Sequence, residues 1–190
     1  MNVALVSSTN YSISMAQLLD VGNLVLVQQH SQRFLWQSFD YPTNTILPFM
    51  KLGLDRQTGL SRYLTSWKSQ DDPKIGKYSF KLDPIGYPQL LLYKGRTPLW
   101  RGGTWSNQGL ADVPEMKSKL YISLMNVSFV NNQDEITIMY SIIEPNDYSK
   151  IIFVLGESRT FGMYIWDNGK WVKLFYPKES CDIYLKCGAN

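Results

Sequence analysis

The amino-acid sequence predicts an all-β protein, and three observations carry that prediction. Apolar residues alternate along strands: Ile136, Ile138 and Tyr140 interleave with Thr137, Met139 and Ser141, a half-buried strand with Thr on its outer face. Turn formers are frequent, with 13 glycines and 9 prolines in 190 residues. No long stretch combines a 3.6-residue period with helix caps.

The elements follow in order. Asp20-Val21-Gly22-Asn23 is a turn, and Leu24-Val25-Leu26-Val27 is the strand after it. Leu35 to Thr65 has little periodicity, and Pro42 and Pro48 suit a segment that wraps over a core rather than joining a central sheet. Lys68 to Lys77, with Asp71-Asp72-Pro73 and Gly76, is expected to be a loop between two structural units, with a boundary there or slightly before. Phe80 and Leu82 lead through Pro84-Ile85-Gly86 to a strand at Gln89-Leu90-Leu91-Leu92-Tyr93. Ile151 to Leu155, Met163 to Trp166 and Trp171 to Phe175 are consecutive strands. Asn168-Gly169 is the strongest hairpin signal, because both residues tolerate the positive φ of a type I′ turn.

A weak internal repeat runs through the chain. Leu19-Asp20 leads through Gly22 to Leu24–Val27; Leu82-Asp83 leads through Gly86 to Leu90–Tyr93; Val154-Leu155 leads through Gly162 to Met163–Trp166. Each unit is strand, Gly-bearing turn, strand, and tryptophans trail the units. Short sheets cannot bury a face alone, so such units should pack around a shared axis. Trp67, Trp100, Trp105 and Trp166 are expected in that core.

Composition narrows the function classes. The chain is 44% hydrophobic and 14% aromatic, enough for a packed core. A formal charge of +3, with scattered Lys and Arg, gives no nucleic-acid stripe. No apolar run is long enough to span a membrane, and the first residues carry no readable signal peptide. His30, among Gln28, Gln29, Ser31 and Gln32, is the only imidazole and reads as a polar turn residue. Without HExxH, GxGxxG or P-loop patterns, no catalytic residue, metal or cofactor is expected. Asp71–Asp72 and Asp134–Glu135 are sequence-adjacent acids in turns, which are usually solvated; a glycosidase brings two carboxylates together from separate strands.

Trp36-Gln37-Ser38-Phe39-Asp40-Tyr41-Pro42-Thr43-Asn44-Thr45-Ile46-Leu47-Pro48 resembles the segment closing the bulb-type lectin domain of plant S-locus glycoproteins and S-domain receptor-like kinases. Leu64-Thr65-Ser66-Trp67-Lys68-Ser69, Gly76–Asp83, Pro88-Gln89-Leu90, Trp100–Trp105 and Phe129–Glu135 are similar to that family's S-locus glycoprotein region. Cys181-Asp182-Ile183-Tyr184 and Cys187-Gly188-Ala189-Asn190 resemble the opening of its epidermal-growth-factor-like module. The resemblance implies β-prism II modules, the first incomplete. Residues 1–60 would be the C-terminal part of a bulb-type lectin domain, 61–177 a second lectin-like module, and 178–190 the truncated start of the growth-factor-like module. The family's transmembrane and kinase parts are absent from this chain. The implied role is non-catalytic ligand recognition at the cell surface, of the pollen-recognition, self-incompatibility or defence type. The implied partners are a small cysteine-rich peptide and a receptor homodimer; the implied location is an extracellular or plasma-membrane ectodomain. The alternatives are a mannose-binding lectin or a truncated product with no function of its own.

Bulb lectins hold mannose with the strand pattern QxDxNxVxY, a comb of polar side chains on one face. The nearest match is Gln17, Asp20, Asn23 and Val25. An extra residue separates Gln17 from Asp20 and another separates Asp20 from Asn23, and Val27 stands in the Tyr place. Each insertion turns side chains to the opposite face, so glycan binding is expected to be weak or absent. The second module offers Asp83, Gln89 and Tyr93 without the Asn. Asn10-Tyr11-Ser12 and Asn126-Val127-Ser128 are N-glycosylation sequons. Cys181 and Cys187 would be half-cystines whose family partners lie further downstream. Residues 1–60, a fraction of a prism, are expected to exchange amide protons fast, and Tyr78 to Tyr93 slowly.

Overall fold

The computed structural model describes residues 2–5, 14–28, 33–106, 109–143 and 151–175. The first strands are β1 (Asn2–Leu5), β2 (Ser14–Leu18), β3 (Leu24–Gln28) and β4 (Arg33–Gln37), which form one antiparallel meander in that order. A 3-10 turn at Ser38–Asp40 leads to three short strands, β5 (Thr45–Ile46), β6 (Leu52–Asp55) and β7 (Ser61–Arg62). Then come β8 (Leu64–Ser69), β9 (Asp72–Asp83), β10 (Gln89–Lys94), β11 (Thr97–Ser106) and β12 (Gly109–Leu110), a second sheet in the order β12-β11-β10-β9-β8. A 3-10 turn at Pro114–Lys117 and a helix of six residues, α1 (Lys119–Leu124), follow; Ser118 caps α1 by accepting from the Tyr121 N–H. The last strands are β13 (Met125–Asn131), β14 (Glu135–Ile142), β15 (Ile151–Leu155), β16 (Phe161–Asp167) and β17 (Lys170–Phe175).

These last strands do not form sheets alone. The third sheet is β13-β14-β6-β7 and the fourth is β17-β16-β15-β5. Residues 45–62 therefore supply strands to both, and hydrogen bonding crosses the division expected at residue 60. The expectation that Leu35–Thr65 only wraps is corrected in the same way. Backbone bonds fasten it further: Thr65 N donates to Thr43 O, Leu155 N to Asn44 O and Phe49 N to Tyr140 O.

The second, third and fourth sheets close around one core, as a β-prism requires. A chain of ring contacts crosses all three: Trp100 and Phe80 of the second sheet, Phe161 and Phe153 of the fourth, and Tyr140 of the third. Phe80 and Phe161 stack with centroids 4.1 Å apart. The Tyr140 hydroxyl lies between the carbonyls of Ile151, at 2.9 Å, and Ile46, at 3.2 Å, joining the third sheet to the fourth. Of the three repeat units, the second and third lie in this prism, whereas Leu19–Val27 lies in the separate first sheet. The prism's remaining sheet is built on β13–β14, which the repeat missed because its turn, Asn132 to Asp134, carries no glycine.

Several local expectations meet the structure directly. Ile151–Leu155 is a strand with its predicted bounds. Asn168 and Gly169 have φ of 47° and 80°, and join β16 to β17. Three expectations are corrected. Lys68–Lys77 is the end of the β8–β9 hairpin rather than a loop; the register slips between Trp67 and Ser69, a bulge that accommodates Pro73, which has no N–H for the ladder. Thr137 is buried, because β14 runs between β13 and β6 and Thr137 sits opposite Gly53, where the two backbones approach too closely for a side chain. Trp166 is 41% exposed, while Trp100 is buried and Trp67 and Trp105 are half-buried. Trp166 pairs with Trp171 on the outer face of the β16–β17 hairpin, away from the core.

Candidate functional site

The mannose comb is not on one strand. Gln17 lies on β2, Asp20 is exposed in the turn, and Asn23 and Val25 come after it. The turn is closed by Gly22 N donating to Leu19 O and Leu19 N donating to Asn23 O. Gln17 opposes Val25 across the β2–β3 ladder, and Val25 is fully buried.

Asn23 is 5% exposed and holds a polar network. Its Nδ2 donates to Gln37 Oε1 at 3.0 Å; its Oδ1 accepts from Ser38 Oγ at 3.1 Å and from the buried Phe39 N–H at 3.2 Å. Ser38 Oγ in turn accepts from Leu24 N. Gln37 Nε2 donates to Asp40 Oδ2 at 3.1 Å, and Asp40 Oδ1 receives the Nε and Nη2 of Arg62 at 2.7 and 2.6 Å. The relay Asn23–Gln37–Asp40–Arg62 thus runs from the first sheet to β7 of the third. Both ends of the ion pair are largely screened from water, at 11% exposure for Arg62 and 21% for Asp40, so the charges depend on each other. Sequence reasoning missed this use of Gln37, Asp40 and Arg62; partners 14 and 22 residues apart leave no local pattern.

In the second module, Asp83 and Gln89 oppose each other across β9–β10, with Tyr93 on the same face. Lys81 Nζ lies over the Tyr93 ring at 4.9 Å and the Tyr63 ring at 5.3 Å, a cation–π arrangement that fills the place beside Tyr93. Burial, and secondarily the Asp83 charge, push the Tyr93 phenol up. Three of the four turn acids are engaged. Glu135 pairs with Lys51 at 2.8 Å, Asp72 with Lys68 at 3.4 Å, and Asp134 accepts from Gln57. Among the described residues no group of His, Cys, Asp or Glu could hold a metal. Among the described residues no helix is long and apolar enough to cross a membrane.

One exposed aromatic surface lies on the fourth sheet; another lies at the first, where exposed Trp36 stacks on exposed Tyr41 with centroids 5.8 Å apart. Trp166 and Trp171 meet edge to face with centroids 5.2 Å apart, and Lys173 lies over Tyr164. This pairing was legible, since a two-residue turn at Asn168-Gly169 places 166 opposite 171. Asn126 is exposed on β13, the outer strand of its sheet. Asn10, His30, Cys181 and Cys187 lie outside the described residues.

Known proteins match both regions of the chain. The D-mannose binding lectin family model matches residues 3–68, and the S-locus glycoprotein domain model matches residues 100–190. A G-type lectin S-receptor-like serine/threonine-protein kinase of Arabidopsis thaliana is 42% identical over 178 residues, covering 92% of this chain and 20% of that protein. The S-locus-specific glycoprotein BS29-2 of Brassica oleracea var. alboglabra is 38% identical over 181 residues, covering 92% of this chain and 40% of that protein. The chain thus spans between about a fifth and two fifths of the length of these relatives. With a lectin match over residues 3–68, an S-locus glycoprotein match over residues 100–190, and relatives of both kinds aligned along nearly its whole length, the chain is similar throughout to S-locus glycoproteins and to G-type lectin S-receptor-like kinases.

Proposed function

We propose that this chain is part of an extracellular recognition ectodomain that reads a protein or peptide ligand, without chemistry of its own. The observation that carries the reading is Asn23: a side chain that a mannose comb would present to sugar is buried and bonded to Gln37, Ser38 and Phe39. A sugar site gains affinity from several preorganised hydrogen bonds of roughly 0.5–1.5 kcal/mol each. With Asn23 engaged, Val27 in place of a tyrosine, and Gln17 across a hairpin from Asn23, little of that sum is left. The Trp166–Trp171 pair supports a protein ligand instead, because half-exposed tryptophans on a rigid hairpin are typical anchors of protein interfaces. By resemblance the ligand is a small cysteine-rich peptide.

The lectin reading keeps one support, the D-mannose binding lectin match over residues 3–68. Titration with methyl mannoside separates the two. We expect no heat, or a Kd no tighter than about 1 mM. A tighter Kd that is lost in Asp20→Ala would restore the lectin reading. In parallel, an immobilised chain is screened against small secreted cysteine-rich peptides. Capture that survives in wild type and is lost in Trp171→Ala is the expected result.

A further inference from the structure

We propose that the prism core holds a binding site for one small, uncharged, apolar molecule of about three heavy atoms. A cavity of about 80 Å³ lies where the three sheets of the prism meet. Phe80 and Trp100 of the second sheet, Leu52 and Ile138 of the third, and Ile46 and Phe161 of the fourth are in its wall, and all six are buried. Close-packed interiors leave few voids larger than a water molecule, so this one stands apart.

The wall decides what can enter. The Tyr140 hydroxyl, also in the wall, is already held between the carbonyls of Ile46 and Ile151. Among the described residues no buried side-chain nitrogen or oxygen lacks a hydrogen-bond partner. A buried water needs roughly two to four polar partners, and an apolar cavity without them stays dry. A charged or hydroxylated guest would leave its hydration behind and find no replacement. An apolar guest gives up nothing and gains dispersion contacts with walls on every side. Size follows from volume. A dry cavity of roughly 150 Å³ takes benzene, so about 80 Å³ suits a three-carbon hydrocarbon or one xenon atom.

The guest has a way in. The cavity shares Met116, Tyr121 and Val127 with an open cleft of about 540 Å³ beside α1. Met116 belongs to the 3-10 turn Pro114–Lys117, and Tyr121 to the six-residue α1. An unbranched thioether on a turn and a ring on a helix this short move at low cost. The Met116 sulfur accepts from Leu110 N at 3.5 Å, a weak latch. A filled cavity ties these side chains to the prism axis, so occupancy stiffens the cleft from within. It does so whatever ligand is read on the outer surface.

The test uses the full chain and three probes: xenon, propane, and ethanol, which matches propane in heavy atoms. Crystals pressurised with xenon are expected to show one xenon atom inside the cavity. In solution, xenon and propane should shift the methyl resonances of Leu52 and Ile138, and at about ten times Kd should raise Tm by about 3–6 °C. Ethanol should bind at least about fivefold more weakly than propane. Val113→Leu adds a methylene at the cavity wall, and should weaken xenon binding several-fold without lowering Tm. Met116→Leu, branched and stiffer, should slow the exchange of bound xenon several-fold. Xenon in the outer cleft alone, or in neither place, overturns the proposal. So does propane binding no tighter than ethanol, a comparison that needs no variant, and so does undiminished xenon affinity in Val113→Leu. Unchanged xenon exchange in Met116→Leu overturns the entry past Met116.

Discussion

Replacing Asn23 with alanine should destabilise the protein by about 3 kcal/mol, from its three hydrogen bonds. The bonds to Gln37 and Ser38 are each worth roughly 0.5–1.5 kcal/mol. The bond from Phe39 weighs more, because its N–H is buried and stays unpaired once Oδ1 is gone, at about 1–3 kcal/mol. For a chain of this length 1 kcal/mol moves Tm by about 2–4 °C, so the expected fall is about 6–12 °C. Asn23→Asp is the informative companion. Measured near pH 4, where a carboxyl this buried is neutral, it keeps the acceptor for Ser38 and Phe39 and loses at most the amide donor to Gln37. It should then lie about 1 kcal/mol below wild type, and further below at neutral pH, where the carboxylate is a buried charge. Thermal and urea unfolding near pH 4, followed by tryptophan fluorescence, give the order wild type, Asp, Ala. An Ala variant within about 0.5 kcal/mol of wild type would refute the reasoning, and would mean that Asn23 is not the anchor of the first sheet's turn.

Gly53→Ala should cost at least about 1–3 kcal/mol in backbone strain, because Gly53 has φ of +132° and an added Cβ would collide with the Ile136 carbonyl; urea midpoints measure it. Burial pushes the Tyr121 and Tyr140 phenols well above their usual value of 10.0, so both stay neutral in the fold while the unfolded chain ionises. Stability is therefore complete below about pH 10 and should fall as pH rises beyond it, by roughly 1.4 kcal/mol per pH unit for each phenol; urea midpoints across alkaline pH check this, and Tyr140→Phe should make the slope shallower. The same variant loses the hydroxyl between Ile46 and Ile151, about 1 kcal/mol at neutral pH. In hydrogen exchange, the amides of β6 should be protected to the same degree as those of β14, their ladder partner. Fast exchange at Leu52–Leu54 beside slow exchange at Ile136–Ile138 would contradict the shared sheet.

Much of the strand pattern was legible because it is local. A period of two, a run of β-branched and aromatic residues, and a turn that needs positive φ are all written within ten residues of one another. That is why Ile151–Leu155, the Asn168-Gly169 hairpin and the Leu82-to-Leu90 hairpin were placed from sequence. The broken mannose pattern was legible too, as spacing, though spacing alone could not say that a hairpin turn divides it. What only the tertiary structure decided is where each strand finds its neighbour. β5 and β6 are two and four residues long, too short to announce themselves, and they exist because β15 and β14 offer ladder edges about a hundred residues later. Trp166 is as apolar as Trp100, yet one faces water and the other fills the core, because side-chain direction follows the pleat and not the composition. Asn23 likewise became a structural anchor only when folding brought Gln37, Ser38 and Phe39 within hydrogen-bond reach. Hydrogen bonds act over about 3 Å, and nothing in a linear sequence reports which distant groups will meet at that distance.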